Sequence, residues 1–393
     1  MKKLLSVICI LLLLFTNTEA SAADKVQKKT LKYTAIGSLH DGLARATKAN
    51  SIGVYSRGFV NTKGEWVIPN SGNVSDFSEG LVLDSTSLDN CKYINTKGKT
   101  VFTLSKGLYT AGIVHLGATS DFHDGRAIVS KKKHANGAID KKGKLVIPCK
   151  YWGLSDFSHG YAIAAKDGKM GLIDKNGKVV IPFIYQYGKL LTDGFAFTKE
   201  SDFWEVWNKP FWFLEHKASS YDIYDADARI IMTGVSEVVD LKQDLLVTAD
   251  QDYPYYNSDG LQSDQFKIVD ISGKVLYTAP DGKSISSLGD GLFSLNDSYY
   301  ESQLIDSDGN LVSETKYTYI GDFSGDYAVV QTDDWREGKT FNKGKYGILN
   351  KKGKEVVPCK YDLEIDNYKS YIENNYVILK DPKTGESVLF TLP

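Results

Sequence analysis

Apolar positions in this chain come in short runs separated by polar turn signals. Tyr161 to Ala165 is apolar and closes on Lys166-Asp167-Gly168-Lys169; Leu172-Ile173, the turn Asp174-Lys175-Asn176-Gly177, and Val179-Val180-Ile181-Pro182 follow. Asp174 can bond the backbone of its own turn, and Gly177 supplies the positive φ such a turn needs. The pattern predicts a β-hairpin whose loop ends in glycine, preceded by a further short strand. Pro182 cannot donate to a ladder, so it ends the strand or marks an edge. Long helical periodicity is absent. Each unit is therefore three or four short antiparallel strands. A lone hairpin is only marginally stable, so units must stack to bury their apolar faces.

The same unit recurs. The opening Ser155-Asp156-Phe157-Ser158-His159-Gly160 returns at Ser75–Gly80, Ser120–Gly125 and Gly321–Gly325. The closing turn returns with its glycine at Gly64, Gly98, Gly143, Gly177, Gly273, Gly309 and Gly353. The first four are spaced by 34, 45 and 34 residues, and the last three by 36 and 44. The gap of 96 residues between Gly177 and Gly273 has room for two units. Its missing marker is Asp225-Ala226-Asp227-Ala228, where the glycine has been lost. The expectation is an all-β chain of about eight short meander or hairpin units. They form either a propeller-like ring or a twisted open stack; 34 residues is short for a four-stranded blade, and both forms stay open.

Gly168-Lys169-Met170-Gly171-Leu172-Ile173-Asp174 through Pro182 resembles the WG-repeat (KWG-repeat) family of bacterial proteins. Gly344-Lys345-Tyr346-Gly347-Ile348-Leu349-Asn350 with Gly353-Lys354 does so too, as does Asn136-Gly137-Ala138-Ile139-Asp140 through Pro148. The resemblance is strong over 120–185 and 321–362, fair over 39–100 and weak over 200–315. The Trp that names the family is absent; Met170, Tyr346, Asn136 and Arg57 stand in its place, which sets the chain at a divergent edge. A large side chain can fill that slot in two of the four units. The resemblance implies a β-rich repeat protein with a surface or interaction role, and it carries over no catalytic residue.

Composition adds location. Lys2 and Lys3, the apolar run Leu4 to Phe15, and Ala20-Ser21-Ala22-Ala23 read as a secretory signal peptide over residues 1–22, with cleavage just before Ala23 or Asp24. The run is too short to span a bilayer comfortably, and no later segment is apolar enough to do so. The expected location is secreted, periplasmic or cell-surface. Cys91, Cys149 and Cys359 remain after cleavage, an odd number without ligand spacing, and are expected as buried free thiols. Cys149 and Cys359 sit in the similar peptides Ile147–Tyr151 and Val357–Tyr361, as equivalent packing positions.

The formal charge of -2 hides an asymmetry. Residues 24–200 hold 26 Lys and Arg against 15 Asp and Glu; residues 201–393 hold 19 against 33. The array thus divides into a basic half, 31–200, and an acidic, more divergent half, 201–393. The basic half suits an anionic envelope polymer. An exported chain with no recognised binding motif is not expected to engage nucleic acid.

Half of the six Trp lie in Phe203-Trp204-Glu205-Val206-Trp207-Asn208-Lys209-Pro210-Phe211-Trp212-Phe213. Trp204, Trp207 and Trp212 are candidate ligand contacts, since aromatic rings stack on sugar faces or anchor a partner. Tyr255 and Tyr256 are candidates too, because the stretch 250–259 combines carboxylates with Tyr and could hold sugar hydroxyls or calcium, although its spacing does not match an EF-hand loop. No GxSxG, HExxH, P-loop or Cys/His nucleophile pattern is present, and nothing calls for a metal or cofactor. His123 and His159 read as surface variants within the unit opening. Asp333-Asp334-Trp335 is a possible half of a carboxylate pair. The expected function is a non-enzymatic binding or scaffold module for a protein or envelope polysaccharide. The alternative is a carbohydrate-active enzyme with carboxylates clustered at the mouth of the array.

Overall fold

The computed structural model describes residues 25–393 apart from 34, 50–53, 70, 72–73, 86–90, 111–115, 117–118, 132–134, 200–219, 250–264, 298–300, 333–343 and 364–371. Among the described residues there is no helix, and the strands form nine antiparallel sheets. In chain order, sheets 1 to 8 occupy residues 35–68, 81–103, 109–151, 153–185, 187–235, 237–278, 284–306 and 319–361. Sheet 9 joins residues 376–380 and 387–391 to the N-terminal strand 27–31. Within a complete sheet the strands run a, b, c, d in sequence order, each paired with the next.

Nine buried clusters hold the sheets to one another, and each draws on two consecutive sheets. Ile128 and Ala138 of sheet 3 pack with Ala162 and Ile173 of sheet 4, for example. Tyr327 and Val357 of sheet 8 pack with Val377 and Phe390 of sheet 9, and Leu389 of sheet 9 packs with Ile36 and Val60 of sheet 1. The series returns to its start, so the units form a closed ring. Each buried aliphatic or aromatic side chain contributes about 1.5–3 kcal/mol, and no seam is without such a cluster.

The expected count of about eight becomes nine for a reason visible in the c–d turn. Asn61, Asn95, Asp140, Asp174, Asp225, Asp270, Asp306 and Asn350 each accept from the amides two and four residues on. Ala228 takes φ 60° in the place of the lost glycine. Sheet 9 has no such turn, because its third and fourth strands come from opposite ends of the chain, Gln27 facing Thr391. The unit is complete in space but carries no marker in the sequence.

The glycine of the repeat motif is a steric requirement. A Cβ on Gly171 would stand 2.5 Å from the Ile181 carbonyl oxygen, and one on Gly347 2.6 Å from that of Val357. The bulged d strand crosses the c strand that closely. In the neighbouring Trp slot, Met170 is 8% exposed and joins the core between sheets 4 and 5, and Tyr346 packs against the core between sheets 8 and 9. Arg57 is exposed, so sheet 1 leaves the slot unfilled.

Candidate binding site

The meander places a–b and c–d turns on one face of the ring, here the lower face. The b–c turns and the d–a linkers between sheets lie on the upper face.

The lower face is a belt of turn-to-turn contacts. Carboxylates in the a–b turns, among them Asp41, Glu79 and Asp124 at positive φ, point at the backbone of the next turn. Gly42 donates to Glu373 at 3.1 Å, Gly80 to Asp41 at 2.7 Å, Gly125 to Glu79 at 2.9 Å and Gly160 to Asp124 at 2.6 Å. Gln243 continues the belt by donating to Asp193 at 2.6 Å, and Lys351 pairs with both Asp290 and Asp326. Such charge-assisted bonds are stronger than neutral ones, so the belt stiffens this face. Between sheets 4 and 5 a histidine replaces the carboxylate: Nε2 of His159 donates to the Thr192 carbonyl at 2.9 Å. His123 lies 3.6 Å from Asp156 across the seam between sheets 3 and 4. Burial raises the Asp156 carboxyl above its usual value, although the Thr119 amide and His123 oppose the shift. Both histidines, read from the sequence as surface variants, are thus partners within inter-sheet contacts. Among the described residues no group of His, Cys, Asp and Glu could hold a metal ion.

The upper face carries a recess of about 410 Å³ over sheet 4. Its walls are Trp152 in the linker entering the sheet, the hairpin Lys166 to Met170, and Gln186 in the linker leaving it. Trp152 is 39% exposed. Its backbone is held from two sides. Its N–H donates to the Ala165 carbonyl at 2.9 Å, and its own carbonyl accepts from Asn136 Nδ2 at 2.9 Å. Asn136 is buried and occupies the Trp slot of sheet 3, so the missing repeat Trp is what lets this amide reach the linker. Lys166, Asp167 and Lys169 line the recess, with Lys166 Nζ 3.8 Å from Asp167 Oδ2.

Trp204, Trp207, Trp212, Tyr255 and Tyr256, and Asp333-Asp334-Trp335, lie outside the described residues. They belong to the b–c connections of sheets 5, 6 and 8, between strands 194–198 and 221–225, 245–249 and 266–270, and 327–332 and 345–350. The Trp152 recess was not foreseen. Its signal is a departure from the repeat, Tyr151-Trp152 where the other units have Tyr185-Gln186 and Tyr361-Asp362. Cys91, Cys149 and Cys359 are free thiols, but only Cys91 is buried as expected; Cys149 and Cys359 are half-buried. Burial, with Glu355 adding to it, pushes the Cys359 thiol up to about 12.

Nine sheets closed by a strand from the opposite end of the chain define a β-propeller. The family model for the WG containing repeat matches residues 58–83, 137–169, 170–204, 304–334 and 346–376. The chain carries WG-type repeats, and each matched stretch runs from the later strands of one sheet toward the next, through parts of sheets 1 to 5, 7 and 8 and to the edge of sheet 9. A search of the curated proteins finds no match. Among solved structures, the crystal structure of BamB from Moraxella catarrhalis is similar over 94% of this chain and 99% of that one, at 10% identity and a TM-score of 0.38. Among the described residues no helix is long and apolar enough to cross a membrane.

Proposed function

We propose that this propeller is an exported, non-enzymatic binding or scaffold module whose upper face engages a cell-envelope glycan or a protein. The Trp152 recess carries this reading. It offers an indole face to a sugar ring or a partner side chain, and Lys169 at its rim suits an acidic group. The lower-face carboxylates are engaged by backbone amides and lysines, whereas the upper face is built of linkers and hairpin tips on a rigid frame, the usual place for recognition. Export rests on the basic, apolar and small-residue order of residues 1–22.

Two measurements test it. Expressed with its own leader, the chain should leave the cytoplasm and begin near Ala23 or Asp24; an uncut, retained chain would remove the export claim. The mature protein should bind on an array of envelope glycans or in a pull-down with envelope proteins. Trp152→Ala should weaken that binding about tenfold, the size of a hot-spot truncation. Unchanged binding by a folded Trp152→Ala protein would refute the recess as the contact. The variant Trp204→Ala/Trp207→Ala/Trp212→Ala asks whether the aromatic segment adds to it.

A further inference from the structure

The seam between sheets 7 and 8 differs from the others. A cleft of about 630 Å³ runs along it, within the 300–1,000 Å³ typical of small-molecule sites. The hydroxyl and amide groups of Ser286, Ser294, Asn296, Ser302 and Thr318 share its lining with the apolar side chains of Leu288, Ile320, Phe323 and Val329, and the ring of Tyr319 lies on the facing strand.

The position of Ser294 is informative. It is the third residue of its b strand counted from the one that pairs with the c–d turn aspartate, here Leu292 facing Asp306. The same count, from Leu245 facing Asp270 and from Tyr327 facing Asn350, gives Val247 in sheet 6 and Val329 in sheet 8. In sheets 3 and 5 it gives Ile128 and Ala196. Ser294 is 3% exposed, so a hydroxyl has been placed where sheets 2 to 6 and 8 bury an aliphatic group, whereas sheet 1 has Arg45 there, paired with Asp76. Burying a polar group without use is unfavourable.

The polar groups are also arranged. Ser302 donates to Asn296 Oδ1 at 2.7 Å, and Asn296 Nδ2 donates to Ser286 Oγ at 3.3 Å. This chain links the a, b and c strands of sheet 7 along one wall. The seam is pinned by the Phe323 amide donating to the Leu288 carbonyl at 2.9 Å, while Ser302 and Tyr317 exchange backbone hydrogen bonds within sheet 7. On the facing wall Gly321 has no side chain, and the Tyr319 hydroxyl lies 3.2 Å from where its Cβ would be. The carboxylates that line the cleft already have partners. Asp297 accepts from the Glu301 amide at 2.9 Å, and Asp322 lies 3.9 Å from Lys242. What remains is a wall of neutral donors and acceptors opposite an aromatic ring, the chemistry that matches a polyhydroxylated, uncharged ligand.

We infer that the cleft between sheets 7 and 8 is a second binding site, for a short neutral oligosaccharide. It is separate from the Trp152 recess and does not depend on what that recess binds.

The test is calorimetric or NMR titration of the mature full-length protein with maltotriose and with chitotriose. At least one should bind saturably. Ser294→Val inserts the residue that sheets 6 and 8 already hold at this position, so the fold should persist, and affinity should fall tenfold or more. Tyr319→Ala, on the opposite wall, should do the same, while Trp152→Ala should leave this binding unchanged. Absence of saturable binding by either trisaccharide would overturn the site. So would equal affinity in Ser294→Val and Tyr319→Ala proteins whose thermal transitions show them folded.

Discussion

The seam between sheets 3 and 4 and the seam between sheets 7 and 8 are the same joint built to two specifications. In the first, Ile128 meets Leu154, Phe157, Ala162 and Ala164, and the d strand lies fully against the c strand. In the second, Ser294 takes the position of Ile128, and the fourth strand of sheet 7 is reduced to isolated bridges at Leu311 and Tyr317. The first is a packed core and the second encloses a cleft. Where most units bury an aliphatic group at a position, a unit that places a hydroxyl there is where a non-structural role is to be sought.

The largest effect should come from copying the second seam into the first. Ile128→Ser removes a fully buried aliphatic side chain and leaves a hydroxyl in a dry cluster, and should cost at least about 3 kcal/mol in chemical denaturation. A loss below about 1 kcal/mol would show that the two seams do not differ in packing as described.

Next is Gly171, which aligns with Gln303 of sheet 7, since each pairs with the fourth residue of its b strand, Ala164 or Leu295. Sheet 7 can hold Gln303 because no continuous d strand crosses it, whereas in sheet 4 the Ile181 carbonyl occupies that space. Gly171→Gln should therefore destabilise by about 1–3 kcal/mol or more, as overpacking does. Gln303→Gly should cost less, about the 0.5–1 kcal/mol of a glycine in a strand. Equal costs would break the account.

The smallest effect concerns the belt beside the second seam. Hydrogen bonds from Lys351 and Gln243 hold the Asp290 carboxyl below its ordinary value of 3.8. A depressed carboxylate stabilises the fold above its unfolded pKa, and that contribution is lost as pH falls through the folded value. The pair is partly exposed, so the loss should stay below about 1 kcal/mol. Asp290→Asn should flatten the acid limb of stability against pH by that amount; an unchanged limb would show that the contact adds nothing.

Much of the fold was legible because its devices are local. The c–d turn needs an Asp or Asn and a residue tolerating positive φ within four positions, and Asp225 with Ala228 was recognisable even without the glycine. The candidate sites were less legible. Trp152 stands out only when the d–a linkers are aligned, and Ser294 only when the b strands are in register, because a one-residue slip would turn its side chain to the opposite face of the sheet. The belt of Asp41, Glu79, Asp124 and Asp193 was hidden for a related reason. Each acceptor and its donor are separated by a whole unit, 36 to 50 residues.

Short-range chemistry in the chain dictated an all-β array, its turns and its repeating unit, because each hairpin selects its own geometry from adjacent residues. Closure, the ninth sheet and the character of each seam arose only in three dimensions. Strand 27–31 finds its partner at 387–391 across nearly the full length of the chain. No local preference encodes that pairing: it forms because closing the ring covers the apolar faces of the first and last sheets.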